Sequence, residues 1–521
     1  MLLFEITLLL LAVAVVFLQV ARRLRVPYPS LLALAGGCVA ALPFAPHLSI
    51  EPRLVLALFV APAVVDTAFE MPPREMLRNW LPLVSLAVLL VLATTAAVAW
   101  AGVALVGLPL AAAIALGAIV SPPDAAAASA VLREFNLPRR AMAVLQGESL
   151  LNDAVALLVF GLAVGSVTSP DRAWAFLAPR LLIAVPGGAV LGMLVGAAGM
   201  RIVRALGGTL SSIIVQFLIT YGAWILADRL GLSPIMAVVA LAAVAANYSP
   251  SRTTARDRLN TNAVWATVVF VLNVLAFLLM GLQARVILTQ MKGEALMHAL
   301  SFALAVLTLV IGVRLVWVML YGFVVRRFHY FFQKRHPPTE TTPAVRLPSV
   351  RVGILVSWCG MRGLVTVATA LALPQEFPGR DLIVLSAFTV VLGTLILQGF
   401  TIRPLITLLR IDADASLDVE MSRARTAMLD AALAALADRS GEGATALRAE
   451  YGAARAASVD RSRPTTAYDD LRLQAIAAQR VLLIEWRTQG RIQDDAFHLL
   501  EDELDRAELH AGSFGTTWLE D

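Results

Sequence analysis

The stretch "LQGESLLNDAVALLVFGL", Leu145 to Leu162, is apolar enough to lie in a membrane, yet it carries Glu148 and Asp153. A charge at the centre of a bilayer costs from about 3 to more than about 10 kcal/mol, depending on how far snorkelling and water relieve it. Asp153 has no helix end to escape to, because apolar residues continue for more than two turns beyond it. A soluble helix with a polar face is the simpler reading, and the rest of the chain decides against it. Of the 521 residues, 59% are hydrophobic and 15% are charged, whereas soluble domains carry about a quarter charged residues.

Runs of about 20 apolar residues, the length needed to cross a hydrocarbon core, recur from the amino terminus to about residue 409. They fall at about 2–20, 28–46, 54–70, 80–105, 109–132, 143–167, 178–200, 211–228, 234–247, 262–282, 297–325, 351–373 and 381–409, the ninth being short. The reading is an all-α polytopic membrane protein with about 13 transmembrane helices. In "MLLFEITLLLLAVAVVFLQVARRLR" the basic cluster follows the apolar run, so this is a retained first span and not a cleaved leader. Lys and Arg concentrate in the loops after odd-numbered runs, such as "ARRLR", "LREFNLPRR", "SRTTARDRLN" and "VVRRFHYFFQKRH". By the positive-inside rule those loops are cytoplasmic, the amino terminus is outside and the carboxyl terminus inside. The net charge of +5 is thus a topology signal and does not point to nucleic acid.

Beyond residue 410 the character changes. Residues 411–521 carry 21 acidic and 12 basic side chains, net −9, against net +14 for residues 1–410. "MSRARTAMLDAALAALADR" and "LRLQAIAAQRVLLIEWRTQGRIQDDAFHLLEDELDRAEL" have helical periodicity, with "RSGEGAT" and "DRSRPTTAY" as connections. A transmembrane domain, 1–410, and a small helical cytoplasmic domain, 411–521, are expected; the tail's ligand is open.

No soluble catalytic motif is present. GxxxxGK[ST], HExxH and GxSxG are all missing, and the six His are scattered, so the chain is not read as an enzyme and no cofactor is expected. Cys38 and Cys359 lie in apolar runs as small hydrophobes. Gly188, Gly192 and Gly196, four residues apart, suit close helix packing.

The ionisable residues inside the runs are Asp66, Glu70, Asp124, Glu148, Asp153, Arg314 and Arg362. Such groups usually face a bundle interior or cavity and mark ion pathways, the alternatives being a structural pair or a snorkelling helix end, which suits Glu70. Two runs are interrupted. "LGAIVSPPDAAAASAVL" places Pro122 and Pro123 in mid-membrane, freeing upstream carbonyls, and Asp124 can cap the half-helix that restarts there. "VSWCGMRGLVTVATAL" places Gly360, Met361, Arg362 and Gly363 at a comparable depth in the twelfth run. Broken backbone is tolerated in a membrane only inside protein or beside a cavity. A matched pair of breaks, inverted between the fifth and twelfth runs, points to inverted repeats around a transporter's midplane site. Ser149 and Asp153 lie four residues apart on one helix face, and with the freed carbonyls near Pro122 they make an all-oxygen site suited to a hard cation. Glu148 needs a partner, for which Arg314 in "IGVRLVWV" is the natural candidate. Asp153 then remains to hold either a proton or a cation, and mutually exclusive occupancy is antiport.

These residues resemble the monovalent cation:proton antiporter family, in its Asn-Asp branch of sodium/proton exchangers. "GESLLND", Gly147 to Asp153, is the most specific motif; "SPPD" occupies the place of a Ser-Pro-Thr-Asp break, and "GMRGLVTVATALALP" and "FLLMGLQ" resemble later stretches in consistent order. The resemblance covers about residues 1–410. It implies a homodimer in a cell membrane, each protomer having a dimerisation domain and a mobile core that carries the ion across. It implies that Asp153 binds ion and proton, with Asn152 as its neighbour and Ser149 as a coordinating hydroxyl. Glu148 and Arg314 become a structural pair, Asp124 and Arg362 stabilise helix ends at the breaks, and Asp66 stands where Glu is common on the third span. Pro123 replaces the usual Thr, so a main-chain carbonyl at Pro122 or Pro123 is the ligand left there; Asp66 is one methylene shorter than Glu. Both departures bear on ion selectivity more than on mechanism. Asn152, in place of a second Asp, implies electroneutral exchange. Na⁺ (with Li⁺) leads over K⁺, and a cation channel or an intramembrane aspartyl protease using Asp66 and Asp153 are the readings from other classes.

Overall fold

The computed structural model describes residues 2–24, 26–40, 51, 54, 56–70, 73–124, 128, 132, 137–168, 178–206, 210–248, 255–282, 293–335, 349–411, 416–459, 467–489, 491, 500–501 and 503–508. Among these residues the regular structure is helical and there is no strand. That follows from the lipid environment, where a helix satisfies its own backbone hydrogen bonds without a neighbour.

In the first compact unit, Met1–Ala413, the helices are α1 (Leu2–Leu24), α2 (Tyr28–Ala40), α3 (Ala61–Glu70), α4 (Pro73–Arg78), α5 (Trp80–Val106) and α6 (Leu110–Val120). They continue as α7 (Arg139–Thr168), α8 (Ala178–Ala205), α9 (Leu210–Arg229), α10 (Pro234–Tyr248), α11 (Ala255–Leu282) and α12 (Glu294–Arg335). The last three are α13 (Val350–Trp358), α14 (Leu364–Leu371) and α15 (Arg380–Leu409). Among the described residues seven helices are long and apolar enough to cross a membrane, and four shorter apolar ones lie at Tyr28–Ala40, Leu56–Phe69, Leu110–Val120 and Pro234–Ala246. The helices follow the apolar runs closely, with informative differences. A π-helical turn, Leu56–Val60, leads into α3, and another, Ser85–Leu89, lies within α5. Such turns widen a helix locally and recur at functional sites. α12 runs to Arg335, two to three turns past the apolar run that predicts it, its end being basic and aromatic.

Small residues set the closest crossings. α8 packs on α10, where a Cβ on Gly192 would collide with the Ala237 carbonyl and one on Gly188 would come within 2.5 Å of the Ser233 carbonyl. α2 and α11 cross in the same way through Gly36 and Gly281, each against the other helix's backbone. With no solvent-driven attraction between helices in lipid, such backbone proximity is what dispersion and packing act through.

Two apolar clusters meet along α7. Ala141, Val144 and Leu145 join a large cluster with α6, α12, α13, α14 and α15. Leu150 and Ala154 join a second with α3, α9 and α10, including Val64, Trp224 and Ile235. α7 touches both clusters on either side of Glu148 to Asp153, with Ala143 packed on the second and Ala163 in the first. The polar residues of the opening stretch therefore lie on a helix shared by two packed bodies of side chains.

The second compact unit, Asp414–Asp521, contains α16 (Ser416–Ala435), α17 (Glu442–Val459) and α18 (Ala467–Thr488). α16 packs on α17, with Arg455 paired to Asp430 and Arg472 to Glu450 at 3.4 Å. α17 begins at Glu442, inside the stretch read as a connection, because Glu442 sits in the first turn where a helix favours an acid. The connection "DRSRPTT" lies outside the described residues after Val459.

Candidate functional site

The two interrupted runs end their first halves as the sequence dictates. α6 stops at Val120, and Pro122 and Pro123, both buried, follow at once. α13 stops at Trp358, and Cys359 to Gly363 are non-helical before α14 restarts. The restart after Asp124 lies outside the described residues, so the capping role expected of Asp124 toward its own half-helix is not placed.

The breaks meet each other. The Asp124 backbone N–H donates to the Met361 carbonyl at 2.7 Å. Arg362, 1% exposed, donates through Nε to the Val120 carbonyl at 3.1 Å and through Nη2 to Ser121 at 3.4 Å, as well as to Gly360. Its positive charge therefore sits at the carboxyl end of α6, where the helix dipole and unpaired carbonyls favour a cation. In return, the Asp124 carboxylate lies against Gly363, the residue that starts α14. An acidic group at a helix amino terminus is stabilised by the same dipole. Each break thus supplies the charge that the other break's helix end requires.

This contact explains Gly363. Its φ of −133° is open to any residue, but a Cβ there would collide with the Asp124 carboxylate. Gly363→Ala is expected to lower stability in detergent by about 1–3 kcal/mol, the usual range for forced overpacking. A thermal unfolding midpoint unchanged from wild type would show that Asp124 can move aside without loss.

Glu148 and Arg314 form a bidentate pair, Nη1 to Oε1 at 2.5 Å and Nη2 to Oε2 at 2.9 Å, and each is 1% exposed. Arg314 also donates to the carbonyls of Ser357 at 3.2 Å and Val356 at 3.1 Å, closing the carboxyl end of α13. Its stem packs on Gly360, where a Cβ would collide. Arg362 does not share Glu148: among the described residues its donors go to backbone carbonyls.

Asn152, fully buried, donates from Nδ2 to the Pro123 carbonyl at 3.1 Å. Only a nitrogen can donate to a carbonyl, which fixes the amide's orientation and leaves Oδ1 buried with no donor among the described residues. Asp153 is 8% exposed, and among the described residues neither a hydrogen bond nor an ion pair engages its carboxylate; its electrostatic neighbour is Asp124. Ser149 is half-buried one turn away, and Asp66 is half-buried on α3, which packs on α7. The side chain of Glu70 lies outside what the structure describes. Among the described residues no group of three or more His, Cys, Asp or Glu is placed to hold a metal ion. Oxygens that this stretch of α7 presents are the Asp153 carboxylate and Asn152 Oδ1, a hard set with little charge.

Sequence reasoning placed α15 but missed its buried polar residues. Thr394 and Gln398 are both fully buried, one turn apart, in "VVLGTLILQGF". Thr394 Oγ1 accepts the Arg362 backbone N–H at 3.1 Å. Among the described residues both ends of the Gln398 amide lack a partner. The signal was present: polar residues at four-residue spacing in an otherwise apolar span share one face.

A family model for the sodium/hydrogen exchanger transmembrane region matches residues 8–408. The chain belongs to the sodium/hydrogen exchanger family. Residues of this exchanger are 31% identical to an uncharacterized Na⁺/H⁺ exchanger of Mycobacterium tuberculosis, over 96% of this chain and 94% of that one. A "sodium, potassium, lithium and rubidium/H⁺ antiporter" of Bacillus pumilus is 29% identical over 79% of this chain and 62% of its own length. The solved sodium proton antiporter MjNhaP1 of Methanocaldococcus jannaschii matches the fold with a TM-score of 0.57 at 17% identity, covering 75% of this chain and 97% of that one. The exchanger fold is therefore that of a multi-helix membrane antiporter, and its cargo class is cation against proton.

Proposed function

We propose that this exchanger swaps Na⁺ (or Li⁺) for H⁺, one for one, by alternating access around Asp153. The observation that carries the reading is a buried Asp153 carboxylate that has no cationic partner among the described residues, next in sequence to an Asn152 whose oxygen lacks a donor there too. Burial favours the protonated carboxyl and a bound cation favours the carboxylate, so one occupant displaces the other. Asn152, Ser149, Asp66 and the Pro122–Pro123 carbonyls are the further ligands; Glu148 with Arg314, and Asp124 with Arg362, hold the frame. One titrating aspartate at this point gives electroneutral turnover. The family name and the Mycobacterium relative support Na⁺, while the Bacillus relative's name includes K⁺, Li⁺ and Rb⁺ beside Na⁺.

The protein purified into liposomes tests this. An imposed Na⁺ gradient should drive proton movement, read by an internal pH dye, and a clamped membrane potential should leave its rate unchanged. Proton flux that responds to K⁺ and not to Na⁺ would reassign the cargo. No flux with any alkali cation would overturn antiport.

In the cell we place the protein as a homodimer spanning the cell membrane, amino terminus outside and carboxyl terminus in the cytoplasm. The basic loops after odd-numbered runs support that orientation. None of the residues proposed for the Asp153 site lies beyond residue 410, so truncation there is expected to preserve Na⁺-driven proton flux, with altered pH dependence or yield. A folded truncation without exchange at any pH would make the tail part of the transport machinery.

A further inference from the structure

We infer that Thr394, on α15, is a positioning residue for the cation site, acting through the second helix break and not by touching the ion. The inference rests on the exchange reading above. Thr394 is fully buried, and its hydroxyl is used in both senses. It donates to the Val390 carbonyl at 2.8 Å, with Val391 at 3.1 Å as the alternative acceptor, and it accepts the Arg362 backbone N–H at 3.1 Å. The first bond anchors the side chain to its own helix; the second reaches out of that helix to the break.

Arg362 N–H is one of the donors that α14 and the break leave without an intrahelical acceptor. Its neighbour, Met361, offers its carbonyl to the Asp124 N–H at 2.7 Å. Asp124 directly follows Pro123, whose carbonyl takes the Asn152 amide at 3.1 Å. Asn152 directly precedes Asp153. A continuous chain of three hydrogen bonds therefore joins α15 to the carboxylate's neighbour: Thr394 to the second break, the second break to the first, and the first break to α7. The Arg362 side chain doubles the middle link through Val120 and Ser121.

Geometry separates this from a merely structural role. A threonine back-bonded only to its own helix would serve local packing, as Thr389 does with the Leu385 carbonyl at 2.8 Å four residues earlier on α15. Thr394 differs in holding a backbone donor on another element. Removing its hydroxyl strands a buried N–H, and the least costly relief is for Arg362, Met361 and the bonded Asp124 to shift together. That shift displaces the Pro123 carbonyl and the amide it orients, so it is felt as cation affinity. The carboxylate itself and the proton it carries are untouched, so the maximal rate is spared.

The test uses full-length protein in liposomes with Na⁺ alone as cargo, comparing wild type with Thr394→Val, Thr394→Ser and Thr389→Val. Thr394→Val keeps the shape without the hydroxyl, and should raise the apparent KM for Na⁺ about three- to tenfold, the fold-change matching one buried hydrogen bond. Its maximal rate should stay within about twofold, since the substitution leaves the carboxylate that carries proton and cation in place. Thr394→Ser restores the donor and acceptor and should restore KM; Thr389→Val should leave KM at the wild-type value. If Thr394→Val yields no folded protein, Thr394→Cys, a weak acceptor of similar size, takes its place with the same expected rise. A hydroxyl-free or Cys variant with wild-type KM, or with a lowered rate at unchanged KM, overturns the inference, as does an equal rise in Thr389→Val. Wild-type protein with no Na⁺-driven flux would instead fail the exchange reading itself.

Discussion

Asp153→Asn is expected to abolish cation-dependent proton movement while the protein remains folded. The amide is nearly isosteric with the acid, but it neither binds nor releases a proton across the working pH range, and it presents no charge to a cation. Both halves of the exchange therefore stop at once. Asp153 makes no ion pair among the described residues, so its neutralisation strands no buried cation and folding should be spared. Flux at the wild-type rate from a folded Asp153→Asn protein would remove Asp153 from the site. A variant that lost exchange only through misfolding would show the same activity result, so size-exclusion behaviour and helical content must be read alongside flux.

The second large effect falls on Glu148 and Arg314. Truncating one member of a buried, hydrogen-bonded pair leaves an uncompensated charge and costs about 3–5 kcal/mol. Glu148→Gln and Arg314→Met should each lower the unfolding temperature in detergent sharply, and the double variant should recover part of the loss. Recovery will be incomplete, because Arg314 also closes the carboxyl end of α13 through the Ser357 and Val356 carbonyls. Arg314→Met is therefore the more damaging single change. Additive losses across the cycle would mean that the two side chains contribute independently despite their contact.

Much of the transmembrane region was legible in the sequence because lipid leaves few options. Apolar length sets a helix, proline and glycine break it, and a carboxylate within it must have a reason. Leu2–Leu24, Arg139–Thr168 and Arg380–Leu409 follow from that logic almost to their ends. The breaks at Pro122 and Gly360 were equally readable. What the sequence withheld was who serves whom. Asp124 reads as a cap for the half-helix that follows it, yet its carboxylate lies at the start of α14, some 240 residues away in the chain. A helix end in lipid needs a counter-charge, but nothing local says from which segment it comes. The role of α15 was hidden for a related reason: Thr394 in an apolar run reads as a back-bonded threonine until the donor facing it is known. The π-helical turn at Leu56–Val60 left no mark either, since hydrogen-bond register within a helix depends on packing more than on residue type.

The exchange of charges between the two breaks constrains how this protein can move. A break in a helix is ordinarily a hinge, free to flex where the backbone ladder is missing. Here the Arg362 guanidinium is spent on α6 and the Asp124 carboxylate on α14, so bending at either break would pull a charge off the other's helix end. Within a low-dielectric interior that separation is costly for both partners at once. The crossing is consequently stiff where a lone broken helix would be soft, so under the alternating access proposed above it is expected to move as one piece.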